Sequence, residues 1–386
     1  MIEIAPPVPV RVGVHLRDDG DHTVSELARA LSISRTATET SLLTLMDAGL
    51  VAEVPNRATR GAGRPARRYT FDTPGRAVAG VDIGAHSVRV VVADLAGFVV
   101  AQRTFPGLLP DDDAAIQLDH VETSIRRALS DARIDPNGLE AVGVALPAIV
   151  DSAGRVLASV VLPLWSGIDV VGHLQEALGC PVAIDNGVRL AAVAEHHLGA
   201  ARLIDEVLYL SVGNRVAAGL ILGGTPRRGV HNVAGDVGRL AFRGWDATTG
   251  QIQWRAAPTA EEVFALAEKG STAAQAEIDQ FIDELGRGIA TLVMAVDPAI
   301  VVIGGGISLA KERLLYPLRR MVSDRIALPL DIPIVAARLG ANAAAHGALV
   351  FAFHRAAVEI YRVPGMPPPP ITPLGDVRPE RETRTA

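Results

Sequence analysis

Five arginines, Arg57, Arg60, Arg64, Arg67 and Arg68, fall between Val54 and Thr70 without a single acid among them. Gly61, Gly63 and Pro65 are interleaved with them. A solvated loop usually mixes charge signs. A flat, extended basic segment such as Gly63-Arg64-Pro65 instead suits the phosphates and the narrow minor groove of a duplex. Upstream, Ser34, Arg35, Thr36 and Thr40 open an apolar-periodic stretch, and side chains in that position reach base edges when the stretch is a recognition helix. From Val78, two apolar β-like runs flank Asp-Ile-Gly and a turn of small residues at Gly84, where backbone amides could approach a phosphate. His196 and His197 have no acid or cysteine spaced for a metal, so they are expected as ordinary surface or core histidines.

These groups require particular elements to place them. Thr23 to Leu31 carries Leu27, Ala28 and Leu31 at helical spacing, with Thr23 and Glu26 set for a capping box. A second helix begins after Ser34 as N-cap, turns Thr38, Leu42 and Leu45 inward at i, i+4, i+7, and ends at Gly49. The Ser-Ile-Ser between the two is short enough for a helix-turn-helix. Leu50-Val51 then starts a strand, and the arginine segment forms a loop before a second β-like stretch, which makes residues 1–72 a winged helix-turn-helix. Its helix holds one Arg and one Glu near its start, so most electrostatic affinity is expected from Arg64, Arg67 and Arg68 of the wing.

Composition bounds the rest. The chain has 386 residues, is 49% hydrophobic and carries a formal net charge of −6. That length allows two or three domains and a sizeable core. Residues 1–70 hold nine arginines and eight acids, so the head is weakly basic on an otherwise acidic protein. A single cysteine, Cys180, excludes an internal disulfide framework and a multi-cysteine zinc cluster. Neither a signal peptide nor a membrane span is read, and a cytoplasmic location is expected. Residues 363–386, proline-rich and then charged without an apolar period, are expected to be a disordered tail.

Beyond the head, the chain resembles the ROK family of repressors, uncharacterised frames and sugar kinases. DIGAHSVR resembles the family's DIGGTxxR. GVALPAIVDSAGRV resembles GxxxPGxVDxxGxV. VAIDNGVRLAAVAE resembles VxxENDANAAAxAE, and GNRVAAG from Gly213 resembles GTGIGAG. RRGVHNVAGDVGRL resembles RGxxxxAGEIGH, and DPAIVVIGGGIS resembles the adenosine-side motif. The matches keep family order from about Val78 to Ala357. The resemblance implies an α/β fold, a two-lobed actin-like ATPase (ribonuclease H-like) domain preceded by the winged helix-turn-helix. The first lobe is expected at 78–185, completed by a helix within 341–360, and the second at 186–340.

The departures from the motifs decide function. Aligned on Glu195, the family's catalytic aspartate falls on Gly187, and phosphoryl transfer to a sugar hydroxyl needs a carboxylate to accept the proton. No catalytic residue is therefore expected. Val161 stands where the family places a sugar-binding Asn, Arg189 replaces the second Asn of its ENDAN run, and Asn214 and Arg215 crowd the phosphate turn. Gly84, Gly213, Gly304 and Gly305 are expected as a vestigial nucleotide loop. Asp185, Asn186, Asp236 and Arg239 hold family sugar-contact positions; they could bind a hydroxylated effector, while Asp185 and Asn186 could equally be structural turn groups. Arg239 replaces a zinc-binding His, and the following stretch lacks the family's cysteines, so neither metal nor cofactor is expected. The reading is a DNA-binding regulator, a repressor of carbohydrate-related genes. Its expected partners are an operator duplex, a sugar or sugar phosphate effector and a second copy in a homodimer or dimer of dimers. The rivals are an active sugar kinase with a DNA-binding head and a regulator without a ligand.

Overall fold

A computed structural model describes residues 5–55, 67–84, 86–109, 112–238, 242 and 251–375. The head opens with a helix that sequence reading left out, α1 (Val8–Asp19), followed by β1 (His22–Thr23), α2 (Val24–Leu31), α3 (Arg35–Asp47), β2 (Val51–Val54) and β3 (Arg68–Phe71). The Thr23/Glu26 capping box forms at α2, and Ser34 caps α3 by accepting from the Ala37 amide at 3.1 Å. Thr38, Ser41, Leu42 and Leu45 are the buried positions of α3 and pack with Leu16, Leu27, Leu50 and Phe71. β2 and β3 pair antiparallel as the base of the wing, with β1 added to the outer edge of β3.

The body repeats one topology twice. Its first sheet is built from β4 (Ala77–Ile83), β5 (Ser87–Asp94), β6 (Val99–Pro106), β7 (Leu139–Leu146) and β10 (Val182–Asn186), in the order β10-β7-β4-β5-β6. The second comprises β11 (Val207–Val212), β12 (Val216–Leu222), β13 (Thr225–Pro226), β14 (Ile300–Gly304) and β15 (Ile334–Ala336), in the order β13-β12-β11-β14-β15. In each sheet three antiparallel strands are followed by two parallel ones added beside the first. The short hairpin β8 (Ile149–Val150) and β9 (Val156–Ala158) pairs separately and packs beside β10, with Val150 and Val156 in the first lobe's core. Parallel strands need helical crossovers. Helices α4 (Ala114–Asp131) and α5 (Val170–Leu178) serve the first sheet, while α7 (Ala260–Glu268), α8 (Thr272–Val296) and α9 (Glu312–Ile326) accompany the second.

Two helices cross between the lobes: α6 (Gly187–Leu198) lies against β11 and β12, and α10 (Ala343–Arg355) lies against β4 and β7. Their approach is close because small residues line it. A Cβ on Gly347 would stand 1.8 Å from the Leu190 carbonyl oxygen, and one on Gly143 would stand 1.9 Å from that of Ala348. Glu195 near the end of α6 is fully buried and accepts from the amides of Ala200, Arg338 and Leu339, which fixes the turn leading into α10.

The C-terminal segment corrects the expectation of a disordered tail from 363. After α11 (Ala357–Tyr361), Val363, Met366 and Ile371 are buried. Arg17 of α1 donates to the Pro367 carbonyl at 2.8 Å, and Met366 reaches the groove between Gly13 and Leu45. The Val99 amide donates to Thr372, whose own amide donates to Gly97. Prolines satisfy this route because they hold an extended chain without donors to lose, and the few apolar residues among them anchor it. Residues 376–386 lie outside the described residues.

Arg76 joins the head to the body. Its guanidinium donates to Glu140 Oε1 of β7 at 2.5 Å, to the Ala48 and Gly49 carbonyls at the end of α3, and to the Ile360 carbonyl of α11 at 2.7 Å.

Candidate DNA interface and interlobe site

On the head, Ser34, Arg35, Thr36 and Thr40 are all exposed. They share the N-terminal turns of α3, and Arg35 Nε is held by Glu39 Oε1 at 3.0 Å, one turn further along. An exposed pair of this kind contributes little stability, so it orients the guanidinium without confining it. Arg67, exposed at the foot of the wing, meets Glu53 Oε2 across the hairpin at 3.1 Å. Arg68 departs from expectation. Its Nε and Nη2 bind Asp21, its Nη1 binds Glu26, and only 23% of the side chain is exposed. It fastens β3 to the start of α2. Arg64 lies outside the described residues.

In the body, the register lines up Arg89, Asp82, Ala145 and Asp185 across β5, β4, β7 and β10. Neighbours in one row share a face, and two strand spacings separate the carboxylates by about 10 Å. This row lies at the carboxyl ends of the parallel strands, where open α/β sheets bind their ligands. Asp185 is buried and occupied: Arg189, one turn into α6, binds its Oδ1, and Arg228 from the second lobe binds its Oδ2 at 2.6 Å. Arg189 Nη2 also donates to the Asn232 carbonyl at 3.2 Å, so the 228–236 loop closes against α6. Asn186 caps α6 by accepting from Val188 and Arg189 while donating to Ala148. Asp236 stands exposed on that same loop, and Arg239 lies outside the described residues. Asp185 is thus neutralised by protein rather than left open, a result the sequence signals only through the spacing of Asp185 and Arg189 at i, i+4. Arg228 was missed, since nothing local marks it among the loop residues.

Gly187 is the first residue of α6, and a Cβ there would find its nearest neighbour at 3.5 Å. Packing therefore leaves room for a side chain at this position. The other glycines have structural duties. A Cβ on Gly304 would meet the Tyr209 hydroxyl at 2.1 Å, and Gly305, at φ +82°, would meet the Val212 carbonyl at 2.4 Å. The close approach of β14 to β11 requires glycine at both positions. Gly213 donates to the Arg215 carbonyl, Ile252 donates to that of Asn214, and Arg215 bridges to Gln251, so this turn is stitched to the 251–252 segment. Gly84 donates to Ser87.

Burial pushes the Asp82 carboxyl up to about 6, with Arg89 at 3.4 Å only partly opposing the rise. A raised carboxylate pKa means the fold favours the neutral form: the penalty is absent below the unfolded value near 4 and complete above about 6. Asp82→Asn is therefore expected to exceed the wild type in stability at pH 7 by on the order of 1–3 kcal/mol. Denaturant melts should show that advantage vanish by pH 4; an advantage independent of pH would contradict the assignment. Cys180, by contrast, is a core thiol pushed up to about 12 and inert. His196 and His197 donate from Nδ1 to the Ile204 and Val193 carbonyls, and no group of three or more metal-ligating side chains exists among the described residues.

Two sheets of one topology, bridged by two helices and preceded by a helix-turn-helix head, define a two-lobed α/β protein of the sugar-kinase type. The model of the ROK family matches residues 78–244 and 240–355, and the chain belongs to that family. The model "Bacterial regulatory protein, arsR family" matches residues 15–53. The xylose repressor of Bacillus subtilis is 23% identical over 344 residues, covering 84% of this chain and 88% of that protein. The structure of a ROK hexokinase from Thermus thermophilus is 28% identical with a TM-score of 0.62, covering 73% of this chain and 99% of the other. A ROK family transcriptional regulator, described as a homologue of the E. coli MLC protein, is 19% identical with a TM-score of 0.71 and covers 92% of this chain and 99% of its own, head included. The actin-like architecture with its N-terminal helix-turn-helix follows from these likenesses.

Proposed function

We propose that the protein is a transcriptional repressor of carbohydrate-related genes, a pair of winged heads on a sugar-kinase-like body that performs no phosphotransfer. The observation that carries it is the exposed Ser34, Arg35, Thr36 and Thr40 at the start of a capped helix in the same domain as the β2–β3 hairpin. The body supports the same reading: glycine stands at the position of the family base, and Asp185 is bound by two arginines. Without a carboxylate to take the hydroxyl proton, a bound sugar serves as a signal rather than a substrate. Asn186 and Asp236 are the remaining groups for such an effector, and a sugar or sugar phosphate acts by changing how the lobes close. No helix among the described residues is long and apolar enough to cross a membrane, and a cytoplasmic place suits a protein that meets DNA. A single head of modest basicity rarely gives specific affinity, so the protein acts as a homodimer or dimer of dimers on an inverted repeat.

Selection from a random duplex pool followed by footprinting tests this reading. Two protected half-sites about 10 bp apart, or a multiple of that, are expected. Arg67→Ala should weaken operator and unrelated duplexes alike and reduce the log-affinity against log-salt slope by about 1 per head for a lost phosphate contact. Arg35→Ala should cost about 1–3 kcal/mol at the operator and little elsewhere. Failure to enrich any sequence, or release of ADP from ATP with hexoses, would overturn the reading.

A further inference from the structure

A cleft of about 180 Å³ runs beside the free edge of β10. Its floor is Val142, Val182 and Ile184, and its walls are the Ser152–Gly154 turn on one side and α10–α11 on the other. Two arginines enter it from different lobes. Arg228 comes from the loop after β13, and Arg355 from the last turn of α10. Both guanidinium carbons lie over the Phe351 ring, at 5.6 and 5.8 Å from its centre.

The local charge is out of balance. Among the described residues Asp185 is the one carboxylate bound to Arg228, and it is already shared with Arg189, whose Nε is buried without an acceptor there. Arg355 is exposed and meets no carboxylate within ion-pair distance among the described residues; Glu359, one turn on, lines the cleft without pairing to it. Arg355 carries no ion pair among the described residues and Arg228 turns Nη2 to Asp185, which leaves other guanidinium N–H donors for an oxyanion. The cleft is smaller than the roughly 300–1,000 Å³ of a drug-sized site, which selects a small metabolite over a nucleotide.

We infer that this cleft binds a small metabolite bearing a phosphate or carboxylate, its oxyanion clamped between Arg228 and Arg355. The ligand ties the second lobe's loop to the end of α10. That helix leads directly into α11, whose Ile360 carbonyl is held by Arg76 with the end of α3. The clamp itself stands without any DNA-binding role; only its effect on operator affinity rests on the function proposed above.

Thermal melts and calorimetric titrations of the full chain decide it, using inorganic phosphate, hexose 6-phosphate, the parent hexose and succinate at constant ionic strength. At least one anionic probe should raise the midpoint saturably. Arg355→Ala should weaken that probe by about tenfold or more, and Arg355→Glu should abolish the response. Because Arg355 is exposed, both variants should fold, which their unliganded midpoints verify. Phosphates without succinate would identify a phosphate monoester, and succinate alone a dicarboxylate. Equal responses in wild type and both Arg355 variants, or none to any anion, would overturn the clamp. A response to the neutral hexose that is indifferent to Arg355 would also overturn it while leaving the effector role of the interlobe crevice intact, and absent operator binding would strike the proposed function alone.

Discussion

Asp185→Ala is expected to destabilise the fold by about 3–5 kcal/mol, because removing one member of a buried ionic cluster strands the others. Two guanidiniums would lose their shared anion: Arg189, almost wholly buried, and Arg228, whose side chain is 24% exposed. Arg228 can swing toward water, but Arg189 cannot, and burial already disfavours its charged form. The companion variant Asp185→Ala with Arg189→Leu removes the charge that cannot escape, so it should recover a large part of the loss. Urea denaturation of the wild type, both single variants and the double variant gives the coupling directly. If Asp185→Ala stays within 1 kcal/mol of the wild type, a threshold well below the usual effect of such a loss, the cluster is not the structural keystone described here.

The second large effect concerns Arg76. Alanine at this position leaves the Ile360 and Gly49 carbonyls without their donor and leaves Glu140 to a long contact with Arg362 at 3.4 Å. Hydrogen bonds to charged groups contribute about 1.5–3 kcal/mol each at most, and partial rehydration brings the expected total to about 2–4 kcal/mol. The loss should be local. Hydrogen exchange should show protection falling at the end of α3 and in α11, with the two central sheets unchanged. Operator affinity should fall more than affinity for a single half-site, since only paired sites need fixed head spacing. Arg76→Lys keeps the charge but cannot span the three parts of the chain at once, so it should behave nearly as badly. Uniform loss of protection across the body would refute a coupling role.

Elements marked by local rules were readable from the chain. The capping box at Thr23/Glu26, the Ser34 cap and the inward face of α3 follow from short-range periodicity and side-chain chemistry, and each appears at its expected residue. The ROK body was legible because its motifs keep their order. What escaped depends on partners distant in sequence. Arg68 looked like a free wing cation because Asp21 lies 47 residues away, and the pairing that captures it exists only once β1 joins β3. The tail looked disordered because prolines carry no periodicity, although Met366 and Ile371 are apolar enough to seat. In the sequence Asp185 stands between an effector contact and a structural turn group, because nothing near Arg228 announces where its loop folds back. Gly304 and Gly305 were read as nucleotide remnants, and the demand of the β11–β14 contact on them is invisible without the sheet.

The C-terminal strap sets an order of events. The head is the first part of this chain to leave the ribosome, yet Arg17 and Pro367, which meet in the finished protein, are 350 residues apart. The groove between Gly13 and Leu45 stays unfilled until Met366 has been made. Synthesis of the head therefore finishes early while its packing finishes late, and closing so long a loop carries an entropic cost that only a folded body, holding α11 beside β7, reduces. A half-made chain thus presents an incompletely seated reading head, and the seat is filled only after the body that governs it exists.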